Sequence, residues 1–141
     1  MRIHDILSAK GADVISIDPG ASVQDLVALL QEHNLGAVVV STDGTTIDGI
    51  VSERDVIREL AAGADFLSSP VSSIMTTDVA TSDPHETVDH LMRLMTDRRI
   101  RHVPVLAEGR LAGIVSIGDV VKSRIGELEF EREQLSSYIS G

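Results

Sequence analysis

Two short runs in this chain place a serine and an aspartate at a spacing that can do chemistry: Gly49-Ile50-Val51-Ser52-Glu53-Arg54-Asp55 and Gly113-Ile114-Val115-Ser116-Ile117-Gly118-Asp119. Ser-x-x-Asp between a strand pattern and a helix pattern is first of all a capping pair. The serine oxygen accepts an N–H of the first helical turn, and the carboxylate reaches back to the serine N–H. The glycine and the apolar pair fixed in front of it open a second reading, a binding site. A glycine lets a ligand or another backbone approach closely, and the following helix N-terminus offers unpaired N–H groups and a field favourable to phosphate.

A second chemical feature is cationic. Arg93, Arg98, Arg99 and Arg101 fall in one nine-residue window, four of the chain's twelve lysines and arginines, on a protein of formal net charge −10. Either this is a solvated helix end or it is a local anion site on an acidic surface. The overall charge opposes general binding to nucleic acid, whose phosphates need a basic surface.

Catalytic constellations fare worse. His85 and His90 are five residues apart, about 140° around a helix, and so cannot chelate one metal as a four-residue pair would. His4 and His33 have no carboxylate pair or nucleophile pattern beside them. Gly-x-x-x-x-Gly-Lys, Gly-x-Gly-x-x-Gly and Gly-x-Ser-x-Gly do not occur, which removes the common phosphate-loop, dinucleotide and serine-hydrolase signatures. With no cysteine, disulfides, thiolate catalysis and cysteine-ligated zinc are excluded. No catalytic residue, metal ligand or catalytic cofactor is assigned, and an enzyme is not expected. No 18-residue apolar stretch occurs and the N-terminus lacks a long apolar run, so a cytoplasmic protein without a membrane anchor is the expectation.

The elements that must position these residues are also written twice. A shift of 65 superimposes Val14 on Val79, Asp18-Pro19 on Asp83-Pro84, Val23 on Val88, Leu26 on Leu91 and Leu30 on Met95; a shift of 64 then carries Gly49–Val56 onto Gly113–Val120. The one extra residue lies between Gly44 and Gly49, in a turn-rich stretch where an insertion costs little. Each repeat reads as a short strand (14–17 or 79–81), a helix and a hairpin (37–40 with 47–51, or 103–106 with 111–115), followed by a second helix. The first helix carries the stripe Val23, Leu26, Val27 and Leu30, matched by Val88, Leu91, Met92 and Met95, on one face. Ser22 and Asp25 mark its start. A short helix pattern opens each repeat, at residues 3–8 and 71–76, and residues 61–70 form the linker. Aromatic residues make up 2% of the chain, so the core must come from Val, Ile, Leu, Ala and Met.

Three segments follow: 1–65, the first repeat with its leading helix; 66–124, the second with its own; and 125–141, a C-terminal amphipathic helix. The steps Val121, Ile125, Leu128, Leu135 and Ile139 form a heptad-like seam if Arg132 takes the missing place. It folds back on its own domain or packs on a partner.

With the doubled Gly-x-x-Ser-x-x-Asp run, the opening helices and Arg99-Ile100-Arg101-His102-Val103-Pro104-Val105 ahead of the second hairpin, the chain resembles a tandem pair of cystathionine-β-synthase-type (CBS) domains, a Bateman module, over nearly its whole length. No further domain is expected, as in the small stand-alone bacterial and archaeal versions. The resemblance implies an α/β fold of two β-α-β-β-α repeats about a pseudo-twofold axis, plus the C-terminal helix. It implies clefts between the repeats for adenosine-containing ligands, AMP first, with ADP, ATP, NAD(H) and S-adenosylmethionine open. By position, Asp55 and Asp119 would accept ribose hydroxyls, and Ser52 and Ser116 would lie near ribose or phosphate. Ile15, Ala37, Val38, Ile50, Ala80, Val103 and Ile114 would line the adenine slot. Arg101 and His102, with Arg99 and Arg54, would meet phosphate. Thr81 and Pro104 complete the candidate set. Gly36-Ala37 stands where the second repeat has Arg101-His102, so the two clefts should differ, and Glu53 beside the first favours a monophosphate or a dinucleotide. The resemblance also implies a homodimer forming a flat four-repeat disc, and an unidentified downstream protein. A ligand-independent interaction module, with the Ser-x-x-Asp pairs as caps only, is the alternative.

Overall fold

Valine-rich runs alternate with striped helices in a computed structural model that describes residues 1–11 and 13–140; Ala12 and Gly141, which fall inside the expected first and last segments, lie outside the described residues. Strands β1 (Ser16–Ile17), β2 (Ala37–Val40) and β3 (Gly49–Ser52) form one sheet in that order, β1 parallel and β3 antiparallel to β2. Strands β4 (His102–Ala107) and β5 (Arg110–Ser116) form an antiparallel pair. Around them lie helices α1 (Ile3–Lys10), α2 (Val23–His33), α3 (Glu53–Leu60), α4 (Val88–Arg98) and α5 (Ile117–Ser140). Two α/β repeats thus stand side by side.

Local sequence explains the matched parts. The Ser22 hydroxyl accepts the Asp25 N–H (3.0 Å) at the start of α2, and the Thr87 hydroxyl accepts the His90 N–H (3.1 Å) at the start of α4. Each such cap stabilises its helix by about 1 kcal/mol. Both helices end on a residue in the left-handed region, Asn34 and Arg99. The second hairpin closes through Glu108 (φ 54°) and Gly109 (φ 78°), two successive positive-φ residues that suit the twist of a tight hairpin.

Three expectations change. The strand expected at 79–81 shrinks to a single parallel bridge between Ser82 and Val105, at the position equivalent to Ile17 beside Val40. Pro104, at the place of Val39, has no N–H to give a second ladder pair, while the Glu86 carboxylate accepts from the Ser82 hydroxyl (2.8 Å) and the Asp83 N–H (3.3 Å). The leading helix expected at 71–76 is only a 3-10 turn, Val71–Ser73. The Ser73 hydroxyl bonds back to the Pro70 carbonyl (2.7 Å), the local competition by which serine resists a helix. Last, the helix that starts at the second Ser-x-x-Asp run continues without a break through residue 125 to Ser140.

Packing exchanges the leading segments between the repeats. Ile3 and Ile6 of α1 are buried with Val88, Leu91, Val103, Val105 and Val115 of the second repeat, whereas Val71 is buried with Val23, Leu26, Val38 and Val51 of the first. Backbone bonds stitch each exchange: Ile3 N–H to Glu86 O (2.9 Å) and Val88 N–H to Met1 O (3.0 Å) on one side, Val23 N–H to Ser69 O (2.9 Å) and Val71 N–H to Ala21 O (2.8 Å) on the other. The motif glycines make room for this. A Cβ on Gly49 would stand 2.7 Å from Met75 Sδ and 2.8 Å from the Thr76 carbonyl oxygen, and one on Gly113 would stand 2.5 Å from Leu7 Cδ2.

Candidate functional site

Strand register fixes the site. Ala37 pairs with Ser52 and His102 with Ser116, so each motif serine ends its strand beside the residue that opens the hairpin. The next N–H closes the corner in both repeats: Glu53 to the Gly36 carbonyl (2.9 Å) and Ile117 to the Arg101 carbonyl (2.8 Å). Both Ser-x-x-Asp runs are reciprocal caps. Asp55 Oδ2 accepts the Ser52 N–H (2.8 Å) while the Ser52 hydroxyl accepts the Asp55 N–H (3.4 Å); Asp119 Oδ2 accepts the Ser116 N–H (2.9 Å) and the Ser116 hydroxyl the Asp119 N–H (3.1 Å). The cap engages one oxygen of Asp55. Its other oxygen, Oδ1, meets only the exposed Arg58 guanidinium at 3.5 Å among the described residues.

A cleft of about 650 Å³ opens beside Asp55, a size suited to a small-molecule ligand. It gathers Ala37, Ile50, Ser52, Arg54 and Asp55 from the first repeat with Ala80, Arg99, Arg101 and His102 from the second. Arg54, Arg58, Arg98, Arg99 and Arg101 all line it, five guanidiniums against the three carboxylates of Glu53, Asp55 and Asp78. On a chain of net charge −10 this reverses the local sign of the field. The Glu53 charge that argued for a monophosphate is outnumbered.

Other expected residues lie elsewhere. Val38 and Val103 are fully buried in the two cores and Ile15 packs on the rim of the first, so it is the residue opening each strand, Ala37 or His102, that reaches the cleft. Pro104 is buried opposite Ile114 in the second hairpin, and Thr81 is exposed. Ile114, Ser116 and Asp119 occupy the corresponding corner of the second repeat, where Lys10 Nζ bonds to Asp119 Oδ2 (2.7 Å) and to the Ile114 carbonyl (2.8 Å). Sequence reading missed Arg58, Thr76 and Asp78 at the first cleft. Arg58 was detectable, since it lies one turn beyond Asp55.

Electrostatics separate the two basic candidates. Arg101 is a permanent cation. Burial pushes the His102 imidazole below its ordinary range, with the Lys10 and Arg101 charges adding and the Asp119 and Glu53 carboxylates opposing. His102 is therefore neutral at pH 7 and brings hydrogen-bonding capacity to the cleft, where a cation had been expected. Burial would raise the Asp119 carboxyl, but the Lys10 hydrogen bond and the Ser116 N–H hold it below the usual range.

Two interlocked α/β repeats, each with a capped Ser-x-x-Asp corner facing the other repeat, define the class of tandem modules with clefts between the repeats. The profile of the CBS domain matches residues 3–62 and 71–126, and the chain belongs to the CBS-domain family. It is 36% identical over 148 residues to the mitochondrial CBS domain-containing protein CBSX3 of Arabidopsis thaliana, spanning 99% of this chain and 72% of that one. Its structure resembles the crystal structure of a CBS-domain containing protein from Agrobacterium tumefaciens (TM-score 0.85, 44% identity, 88% of this chain and 99% of that one). It also resembles the CBS domain pair of protein MJ0100 in complex with 5′-methylthioadenosine and S-adenosyl-L-methionine (TM-score 0.80, 26% identity, 90% and 98%). No helix among the described residues is long and apolar enough to cross a membrane.

Proposed function

We propose that the chain is a non-catalytic sensor that binds a phosphorylated adenosine ligand, AMP first and ADP, ATP or NAD(H) by the same contacts, in the cleft beside Asp55. The observation that carries this reading is the juxtaposition of a capped carboxylate with one oxygen turned from its cap and five arginines around one 650 Å³ cleft. Asp55 Oδ1 takes the ribose hydroxyls. Ala37, Ile50, Val79 and Ala80 offer small apolar surface to the base, and Arg101 with Arg99 and Arg54 takes the phosphate, where bidentate guanidinium contacts are strongest. The family relative MJ0100, crystallised with two adenosine compounds, supports the adenosine portion.

Signalling follows from the division of labour. Ribose is held by the first repeat and phosphate largely by the second, so occupancy favours the arrangement of repeats that satisfies both, and only differential affinity can shift that balance. A downstream protein then reads the outer surface. The reading places the module in the cytoplasm, where such nucleotides circulate, as a homodimer of two interlocked pairs. Asp55→Ala tests the site: calorimetric affinity for AMP should fall at least tenfold while circular dichroism stays native. Unaltered affinity would remove Asp55 from the site and leave it a helix cap in a ligand-independent interaction module.

A further inference from the structure

The two corners of this molecule are internal controls for one another, and they differ at one built-in cation. In the first, Asp55 faces the open cleft with only the exposed Arg58 near its free oxygen. In the second, the ammonium of Lys10, at the last residue of α1, bridges the Ile114 carbonyl (2.8 Å) and Asp119 Oδ2 (2.7 Å), the oxygen that also accepts the Ser116 N–H, and so stands against the carboxylate from outside the cap. The leading segments match at a shift of 68, Ile3 on Val71 and Leu7 on Met75, the latter two each against a motif glycine, so the counterpart of Lys10 is Asp78, which lines the first cleft. The leading segment of the first repeat thus delivers a cation where that of the second delivers a carboxylate.

We propose that Lys10 is an intramolecular occupant of the second corner, where its ammonium holds the Asp119 carboxylate and the neighbouring strand carbonyl against an incoming ribose, so that the chain binds one adenosine ligand and not two. This rests on the reading of the first cleft given above. A ribose hydroxyl is a neutral donor, and displacing an ammonium from a carboxylate and a carbonyl for two such donors loses charge-assisted bonds of roughly twice the strength. The second corner is also poorer in what would offset that loss: by the shifts of 64 and 65 the counterparts of Arg54, Arg98, Arg99 and Arg101 are Gly118, His33, Asn34 and Gly36, and only that of Arg58, Lys122, keeps a permanent cation. The occluded site is therefore one for the nucleoside portion more than for phosphate.

Lys10→Met, which removes the charge and keeps an unbranched side chain, and Lys10→Gln as a second variant are titrated with adenosine and with AMP beside the unaltered chain. Both variants should gain a binding event for adenosine that is absent from the parent and is abolished by adding Asp119→Ala, with AMP stoichiometry rising from one to two per chain. Two equal events in the parent, or no Asp119-dependent event gained in either variant, would overturn the proposal. The outcome at Asp55 is separate: loss of the Asp55-dependent event in the parent would strike the first-cleft reading alone, because the gain in the Lys10 variants is read through Asp119.

Discussion

The two oxygens of Asp55 serve different purposes, and that division resolves the competition between cap and binding site posed by the sequence. Oδ2 closes the helix on Ser52, while Oδ1 is turned from the cap; one residue does both because the capping geometry that fixes the carboxylate also aims it. His102 is the other residue whose behaviour follows from its place. Burial holds its imidazole below the ordinary range, so the unfolded chain binds that proton more readily than the folded one. The contribution of neutral His102 to stability is complete above about pH 6.5, the ordinary histidine value, and is lost as pH falls through the depressed folded value. His102→Asn should accordingly flatten the acid-side fall of Tm between neutral pH and pH 5 relative to the parent. Parallel Tm profiles for the two proteins would contradict this.

Between elements, the close approaches are made by backbone at one glycine and by a side chain at the other. At Gly49 a Cβ meets the Thr76 carbonyl, which accepts the Ile50 N–H while the Thr76 N–H donates to the Ile50 carbonyl (2.9 Å each), whereas at Gly113 it meets the end of the Leu7 side chain. Gly49→Ala should cost about 1–3 kcal/mol, in the range of overpacked cores, and Gly113→Ala less because a leucine terminus can rotate. Denaturant midpoints compare them, and equal losses would deny the distinction. These contacts also mark what sequence could and could not reveal. The repeat, the Val and Leu stripes and the capped runs were legible because periodicity and capping are local. The exchange of leading segments was not, since Ile3 and Val71 carry no sign of which core they enter. Val38 and Val103 lie in the cores for a related reason: each follows the strand's cleft residue, Ala37 or His102, and an apolar run does not tell ligand from core. The strand expected at 79–81 kept only its Ser82 bridge, because Pro104 stands where the first repeat has Val39 and gives that ladder no N–H.

Over the whole molecule, exposed apolar surface recurs at equivalent places. Val27 and Ile57 share a groove on α2 and α3 with Leu30, Leu35 and Val56; of their matches on α4 and α5, Val121 is exposed and Met92 half-buried against the second core. Beyond them the seam on α5 stays outside its own domain: Ile125, Leu128, Leu135 and Ile139 are 51%, 60%, 64% and 82% exposed, so this part of the helix does not fold back. Apolar faces that repeat with the internal symmetry suit burial against a second copy, and sedimentation at micromolar concentration should give the mass of two chains; a monomer would leave these faces to another partner. The cleft itself is the centre of the account, and titration calorimetry of the nucleotide-free protein with AMP, repeated with adenosine, tests it most directly. The expected result is saturable binding of one AMP per chain, at least tenfold tighter than adenosine because the arginines bind the phosphate. No heat with AMP, with an unchanged Tm, would contradict the assignment of the cleft to a nucleotide.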